Sequence, residues 1–186
     1  MSEYSSFFKD ISGDRTYNPD QFAEYFRSFL TSGIKNGGTN LAVEEKTPNA
    51  MEVQVKSGVA QLQGYYYNNS STLALAIAAA DSVNPRIDRI ILRLNSNDSV
   101  RAINLVVKTG TPAASPTAPT LQTDFSTSGI YEISLAQVYV GASVTAIENA
   151  NITDERLDES VCGLINSLIQ VDTAMFQTQW DNWFQS

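Results

Sequence analysis

RIDRIILRLNSNDSVRAINLVVK, residues 86–108, is the stretch whose reading decides the fold. Arg86–Leu94 and Ala102–Lys108 are long runs of Ile, Leu and Val, the composition of a sheet interior. Between them Asn95–Ser99 (NSNDS) is a cluster of turn formers. The stretch therefore reads as an antiparallel hairpin with a buried, charge-flanked first strand. Asp88 sits between Arg86 and Arg89; strand alternation puts Arg86 and Asp88 on one face and Arg89 on the other. A structural salt bridge is the role this spacing favours over catalysis.

The same period of two continues on both sides. Upstream, Met51, Val53 and Val55 alternate with Glu52, Gln54 and Lys56 until Gly58 breaks the run. Val59, Ala60 and Leu62 lead through Gly64 into Tyr65, Tyr66 and Tyr67. Asn68–Ser71 reads as a turn, and Leu73, Leu75 and Ile77 form a further strand. Downstream, GTPAASPTAPT (Gly110–Thr120) carries three of the six prolines and reads as an extended surface loop. Tyr131, Ile133 and Leu135 then alternate with Glu132 and Ser134 before Val138–Val140. Gly141–Ala142 is a turn, and Val144–Ile147 is expected to end the sheet. Short strands separated by frequent turns predict a mainly β fold, an antiparallel β-sandwich, with a helix at each end.

The N-terminal helix is predicted over Pro19–Ser32. Asn18 is an N-cap, Pro19 suits the first helical position, Gln21 completes a capping box and Gly33 is a C-cap. Phe22, Phe26, Phe29 and Leu30 make an apolar face expected to pack on the core. Residues 1–150 are thus read as one helix plus the β-domain, and 151–186 as a helical segment. Asn151–Glu155 looks like a helix start or capped turn. A second helical stretch runs from about Val171 to the end, with Phe176, Trp180, Trp183 and Phe184 at i, i+4, i+7 and i+8. A lone terminal helix cannot hide these rings. They fold back on the sheet, pack against copies of the chain, or lead into further chain; contiguous aromatic surface of this kind marks an interface.

Composition narrows the function. The 186 residues include no histidine, one cysteine and 17% charged side chains, with Ser, Thr, Asn and Gln supplying roughly a third. Without histidine there is no Ser-His-Asp or Cys-His nucleophile, and zinc ligands are lacking. One thiol, Cys162, excludes an internal disulfide; beside Val161 and Leu164 it reads as a small buried hydrophobe. The net charge of −8 disfavours nucleic acid. Leu73–Ala80, the longest apolar run, is too short to span a bilayer, and MSEYSSFFKD lacks the features of a signal peptide, so a soluble chain made in a cytoplasm is expected.

Remaining candidates for chemistry are sparse. Asp81, Asp88, Glu132 and Asp154 are the acids nearest apolar segments, and nothing in their spacing unites two of them. Asn97, Asp98 and Ser99 lack the alternating carboxylates of a strong calcium loop, and Gly37–Gly38 lacks a phosphate-loop context. No enzyme, cofactor or metal is expected. Tyr65 and Tyr67 could stack on a sugar, while Tyr66 points to the opposite side of its strand; core packing is the competing role.

Six motifs in order resemble a family of tail and baseplate proteins from phages and prophages of Gram-positive bacteria. They are DRTYNPDQFAEYF (14–26), AMEVQVKSGVAQLQGYYYNN (50–69), NPRIDRIILRLN (84–95), VKTGTPAASPTAPTL (107–121), ITDERLDESVCGLI (152–165) and FQTQWDNWF (176–184). The similarity is to the N-terminal domain of baseplate upper proteins and of receptor-binding tail proteins. It implies a virion structural protein, assembled in the host cytoplasm, that attaches host-recognition components to the tail. It also implies fold-defining roles for Asp14, Arg15, Tyr17 and Asn18, and for Arg86, Asp88 and Arg89. The C-terminal aromatics would lead into a homotrimeric stalk. The expected partners are copies of the chain and other tail or baseplate proteins. The alternative is a carbohydrate-binding module that touches host cell-wall glycan, with no nucleic acid and no membrane insertion in either case.

Overall fold

The hairpin of residues 86–108 lies at the heart of the largest sheet. The structure, a computed structural model, describes residue 3, residues 5–169 and residues 174–185. The elements in chain order are α1 (Pro19–Arg27), β1 (Gly33–Ile34), β2 (Val43–Glu45), β3 (Glu52–Val55), β4 (Gly58–Leu62), β5 (Tyr65–Asn69) and β6 (Leu73–Ala76). They are followed by β7 (Arg86–Asn95), β8 (Ala102–Lys108), α2 (Phe125–Ser128), β9 (Ile130–Val140), a 3-10 turn (Asn149–Asn151), β10 (Ile152–Asp154) and α3 (Ala174–Phe184). All strand pairs are antiparallel, in three sheets ordered β1-β4-β5, β2-β3-β6 and β10-β9-β7-β8. The chain is mainly β, as the period-two pattern predicts.

One apolar cluster draws on all three sheets. Ile34, Leu62 and Ala60 come from the first, Val53 and Val55 from the second, and Ile90, Leu92, Ile133, Leu135, Val138 and Val140 from the third. The core residues of β9 change parity along the strand, odd through Leu135 and even from Val138. A β-bulge causes this: Ile90 pairs with Ala136 but Ile91 pairs with Ser134, so Leu135 is the extra residue. The bulge frees backbone groups, and the chain beyond β10 takes them up. Ser134 N–H donates to the carbonyl of Val161 (2.9 Å), and Glu155 N–H donates to that of Leu135 (3.0 Å).

Several expectations are corrected. Asn151–Glu155 is not a helix start, and the segment it opens joins the β-domain: β10 pairs with β9, Glu155, Arg156 and Cys162 are buried, and Ile34 N–H donates to the carbonyl of Gly163 (3.0 Å). Among the described residues of this part of the chain, α-helix is confined to Ala174–Phe184; residues 170–173, including the expected start at Val171, lie outside the described residues. Val144–Ile147 forms no strand, although Ile147 is fully buried. Asn68 and Asn69 extend β5 instead of turning. The proline loop is a loop, as expected.

The capping box of α1 is formed: Gln21 N–H donates to Asn18 Oδ1 (3.0 Å) and Asn18 N–H to Gln21 Oε1 (2.9 Å). The helix ends at Arg27, and Gly33 begins β1. Its aromatic face does not enter the core. Ala23 is the buried residue of α1, whereas Phe22 and Phe26 are exposed. Phe22, with Tyr17 and Tyr25, packs instead on Phe7 of the preceding segment, at ring-centroid distances of 5.1–5.5 Å.

Ala23 meets the β4–β5 turn, whose central residues Gln63 and Gly64 have φ of 50° and 83°, the positive values a type I′ hairpin requires. A Cβ on Gly64 would collide with the Ala23 carbonyl. Gly64→Ala is therefore expected to lower stability by about 2–3 kcal/mol in urea denaturation. Gly38 is also left-handed (φ 64°) but faces open space, so a loss for Gly64→Ala no greater than for Gly38→Ala would refute the tight contact.

Candidate functional site

Three features collect the residues singled out above: a buried ionic layer on β7 and β9, a groove beside Tyr65, and the aromatic face of α3. The ionic layer begins with Arg86, which donates from Nε to Asp88 (2.9 Å) and from its two terminal nitrogens to the carbonyls of Ala79 (2.8 Å) and Ala78 (2.6 Å). Asp88 is fully buried and also accepts from Gly110 N–H (2.8 Å), which pins the start of the proline loop. Arg89, on the opposite face as alternation requires, donates to Glu155 (3.2 Å) and to the carbonyl of Pro119 (3.2 Å). Glu155 also accepts from Ser134 Oγ (2.5 Å). Apart from the Arg86–Asp88 pair within β7, each of these contacts ties a loop to the sheet.

Glu132 is 2% exposed and receives Arg93 Nε (2.7 Å), Lys108 Nζ (2.6 Å) and Gln122 N–H (2.8 Å). Burial pushes its carboxyl upward, but the hydrogen bonds from Lys108, Gln122 and Arg93 outweigh it and leave it below the ordinary glutamate value. Asp81 and Asp154 are held low as well, the first by the backbone N–H groups of Asn84 and Val83, the second by Arg156. All four acids flagged in the sequence are thus engaged in turns or ion pairs.

Asp14, Arg15, Tyr17 and Asn18 act near the surface. Asp14 accepts from Ile11 N–H (2.8 Å), Arg15 lies over the Phe8 ring (5.4 Å), Tyr17 Oη accepts from Phe8 N–H (2.8 Å), and Asn18 caps α1. They organise the segment before α1 and do not reach the core.

The groove consists of two cavities of about 660 and 520 Å³ whose shared wall is Asp20, Tyr65 and Ser96. Tyr65 donates to Asp20 Oδ1 (2.5 Å) and meets Phe125 edge-on (6.4 Å). Burial, then the bond to Asp20, pushes its phenol up to about 12. Arg27 lies over the Phe125 ring (5.7 Å) and donates to the carbonyl of Gln63 (3.2 Å). Tyr67, paired with Tyr65 in the sequence reading, packs against the core and lines neither cavity. Tyr66, 70% exposed, borders the second cavity in its place. Strand alternation signals that exposure in the sequence; the approach of Asp20, Phe125 and Arg101 from distant segments has no local signal.

On α3 the rings contact one another at tilted or edge-on angles: Trp180–Trp183 at 5.6 Å, Trp180–Phe184 at 4.9 Å and Trp183–Phe184 at 5.0 Å. All three, with Phe176, are exposed, Trp183 by 68%. Among the described residues no helix is long and apolar enough to cross a membrane. No protein-family model matches this chain, and no curated protein matches it.

Two outcomes follow from the buried groups. Glu132→Gln removes the charge that Lys108 and Arg93 share and is expected to cost about 2–3 kcal/mol at neutral pH. Because the folded carboxyl titrates below the ordinary 4.5, its contribution is complete above that pH and lost as pH falls through the folded value. Urea titrations of wild type and variant should therefore converge in acid; a gap independent of pH would contradict the ion pairing. Cys162, whose thiol burial pushes up to about 12, should resist a disulfide reagent at mildly alkaline pH until the protein unfolds. Rapid labelling of the native protein would show that the site opens.

Proposed function

We propose that this protein is a structural subunit of a phage tail or baseplate, an adaptor that joins copies of itself to the components that recognise the host. Two lines support the reading. The six motifs resemble tail and baseplate proteins over nearly the whole chain, and α3 carries a contiguous exposed aromatic surface. In this reading the three sheets form a sandwich that serves as a rigid body, and its work is assembly without catalysis. The protein resides in the virion after assembly in the host cytoplasm.

The observation that carries the proposal is the exposure of Trp180, Trp183, Phe184 and Phe176 on one helix of 11 residues. An isolated helix this short is marginal in water, and a cluster of exposed rings adds a surface of the kind that marks an interface. Association through this face stabilises the helix and covers the rings. The resemblance implies three copies, and a closed cyclic assembly would satisfy every copy equally.

Light scattering on the full chain should give the mass of a trimer. Trp180→Ala combined with Trp183→Ala should shift it to monomer while leaving the thermal transition of the β-body in place. A monomeric wild type at the highest soluble concentration would sink the proposal. So would a double variant that unfolds the β-body, since the rings would then belong to the core.

A further inference from the structure

The groove beside Tyr65 is not used by the assembly reading and stands independently of it. We propose that this groove binds a neutral oligosaccharide. Its two cavities are each of the size of a small-ligand site, roughly 300–1,000 Å³, and they lie side by side with Tyr65, Asp20 and Ser96 lining both. A ligand longer than one ring has both cavities within reach of Tyr65.

The chemistry of the walls selects the ligand class. Tyr65, Tyr66 and Phe125 present rings, whose negative faces attract the polarised C–H groups of a pyranose. Around them stand Asp20, Asn95, Asp98 and Arg101, planar side chains that pair with neighbouring hydroxyls. Asp20 uses Oδ1 for Tyr65, leaving Oδ2 with no hydrogen bond among the described residues. Asn95 uses its oxygen for Asn97, so its amide N–H groups are donors toward the groove.

Competing classes fit less well. Three aspartates against two arginines leave the groove slightly acidic, on a chain of net charge −8, which opposes a polyanion. A lipid chain would find apolar wall only in the second cavity, at Leu94, Ala102 and Ile103, beside the charged Asp20, Asp98 and Arg101. A peptide would be recognised by strand addition or by a deep apolar anchor pocket. Here the apolar parts are the rings of Tyr65, Tyr66 and Phe125 and the aliphatic Leu94 and Ile103, set among hydrogen-bonding side chains.

The ring at the centre is fixed before any ligand arrives. Its hydroxyl is bound to Asp20 and its edge rests on Phe125, which is itself covered by Arg27. Pre-organisation of this kind lowers the ordering cost of binding. Tyr66 is free to lie against the sugar, so it should dominate the affinity.

The test is an array of neutral oligosaccharides probed with the full chain, followed by titration of the best-bound member into labelled protein by NMR. Binding is expected, with amide shifts at residues 65–66 and 95–103. Tyr66→Ala and Asp98→Asn should each weaken it by about tenfold with the thermal transition unchanged. Tyr139→Ala, an exposed tyrosine outside both cavities, should have no effect. Several results would overturn the proposal: no neutral sugar bound, binding of peptides alone, binding of heparin alone, or shifts confined to the Trp180 and Trp183 indoles. Affinity unchanged in both groove variants would overturn it too. None of these outcomes bears on the oligomeric state, so the two proposals fail separately.

Discussion

The pairing of β7 with β9, interrupted once at Leu135, is the constraint on which the rest of the structure depends. An uninterrupted ladder would keep one parity on each face and turn Val138 and Val140 away from the core. With the bulge, the apolar residues of both halves of β9 point inward, and Glu132, Ser134 and Gln137 share the other face. The bulge also leaves the backbone at Ser134 and Leu135 to be paired by residues 155–161. One extra residue thus decides where the C-terminal part of the domain is attached.

The polar face so created is closed by charge. Glu132 on β9 binds Arg93 on the adjacent β7 and Lys108 on β8, one strand further, and Glu155 binds Arg89 from the loop beyond β10. Buried ion pairs add little net stability compared with apolar replacements, but losing one partner is costly. Their effect here is positional. Asp88 and Glu132 hold both ends of the loop between β8 and β9 through the N–H groups of Gly110 and Gln122, and that loop leads directly to Phe125 in the groove. The sheet chemistry and the candidate site are therefore mechanically linked.

Much of this was legible in the residues. Alternation at 51–55, 86–95 and 131–135 marks strands because a half-buried strand must alternate, and Asn18-Pro19-x-Gln21 marks a helix start because its orphan N–H groups need those side chains. The change from Ile133 and Leu135 to Val138 and Val140 is also written there, although only the paired strand makes it a bulge. Other readings misled for a physical reason. The aromatic spacing in α1 is that of a core-facing helix, yet Gly64 admits only Ala23, and the large rings are left to gather round Phe7. Asp154 and Glu155 look like first-turn acids of a helix, but their partners are Arg156 and Arg89, one local and one far away.

By itself, then, the sequence determined the local elements, the mainly antiparallel β character and the aromatic face of α3. These follow from periodicity and capping, which act within a few residues. Tertiary structure decided what depends on distant approach: that residues 152–165 belong to the β-body, that Tyr66 and not Tyr67 reaches the groove, and that Asp20, Phe125 and Arg101 gather around Tyr65. Such juxtapositions arise from loop paths and sheet register, and no spacing along the chain encodes them.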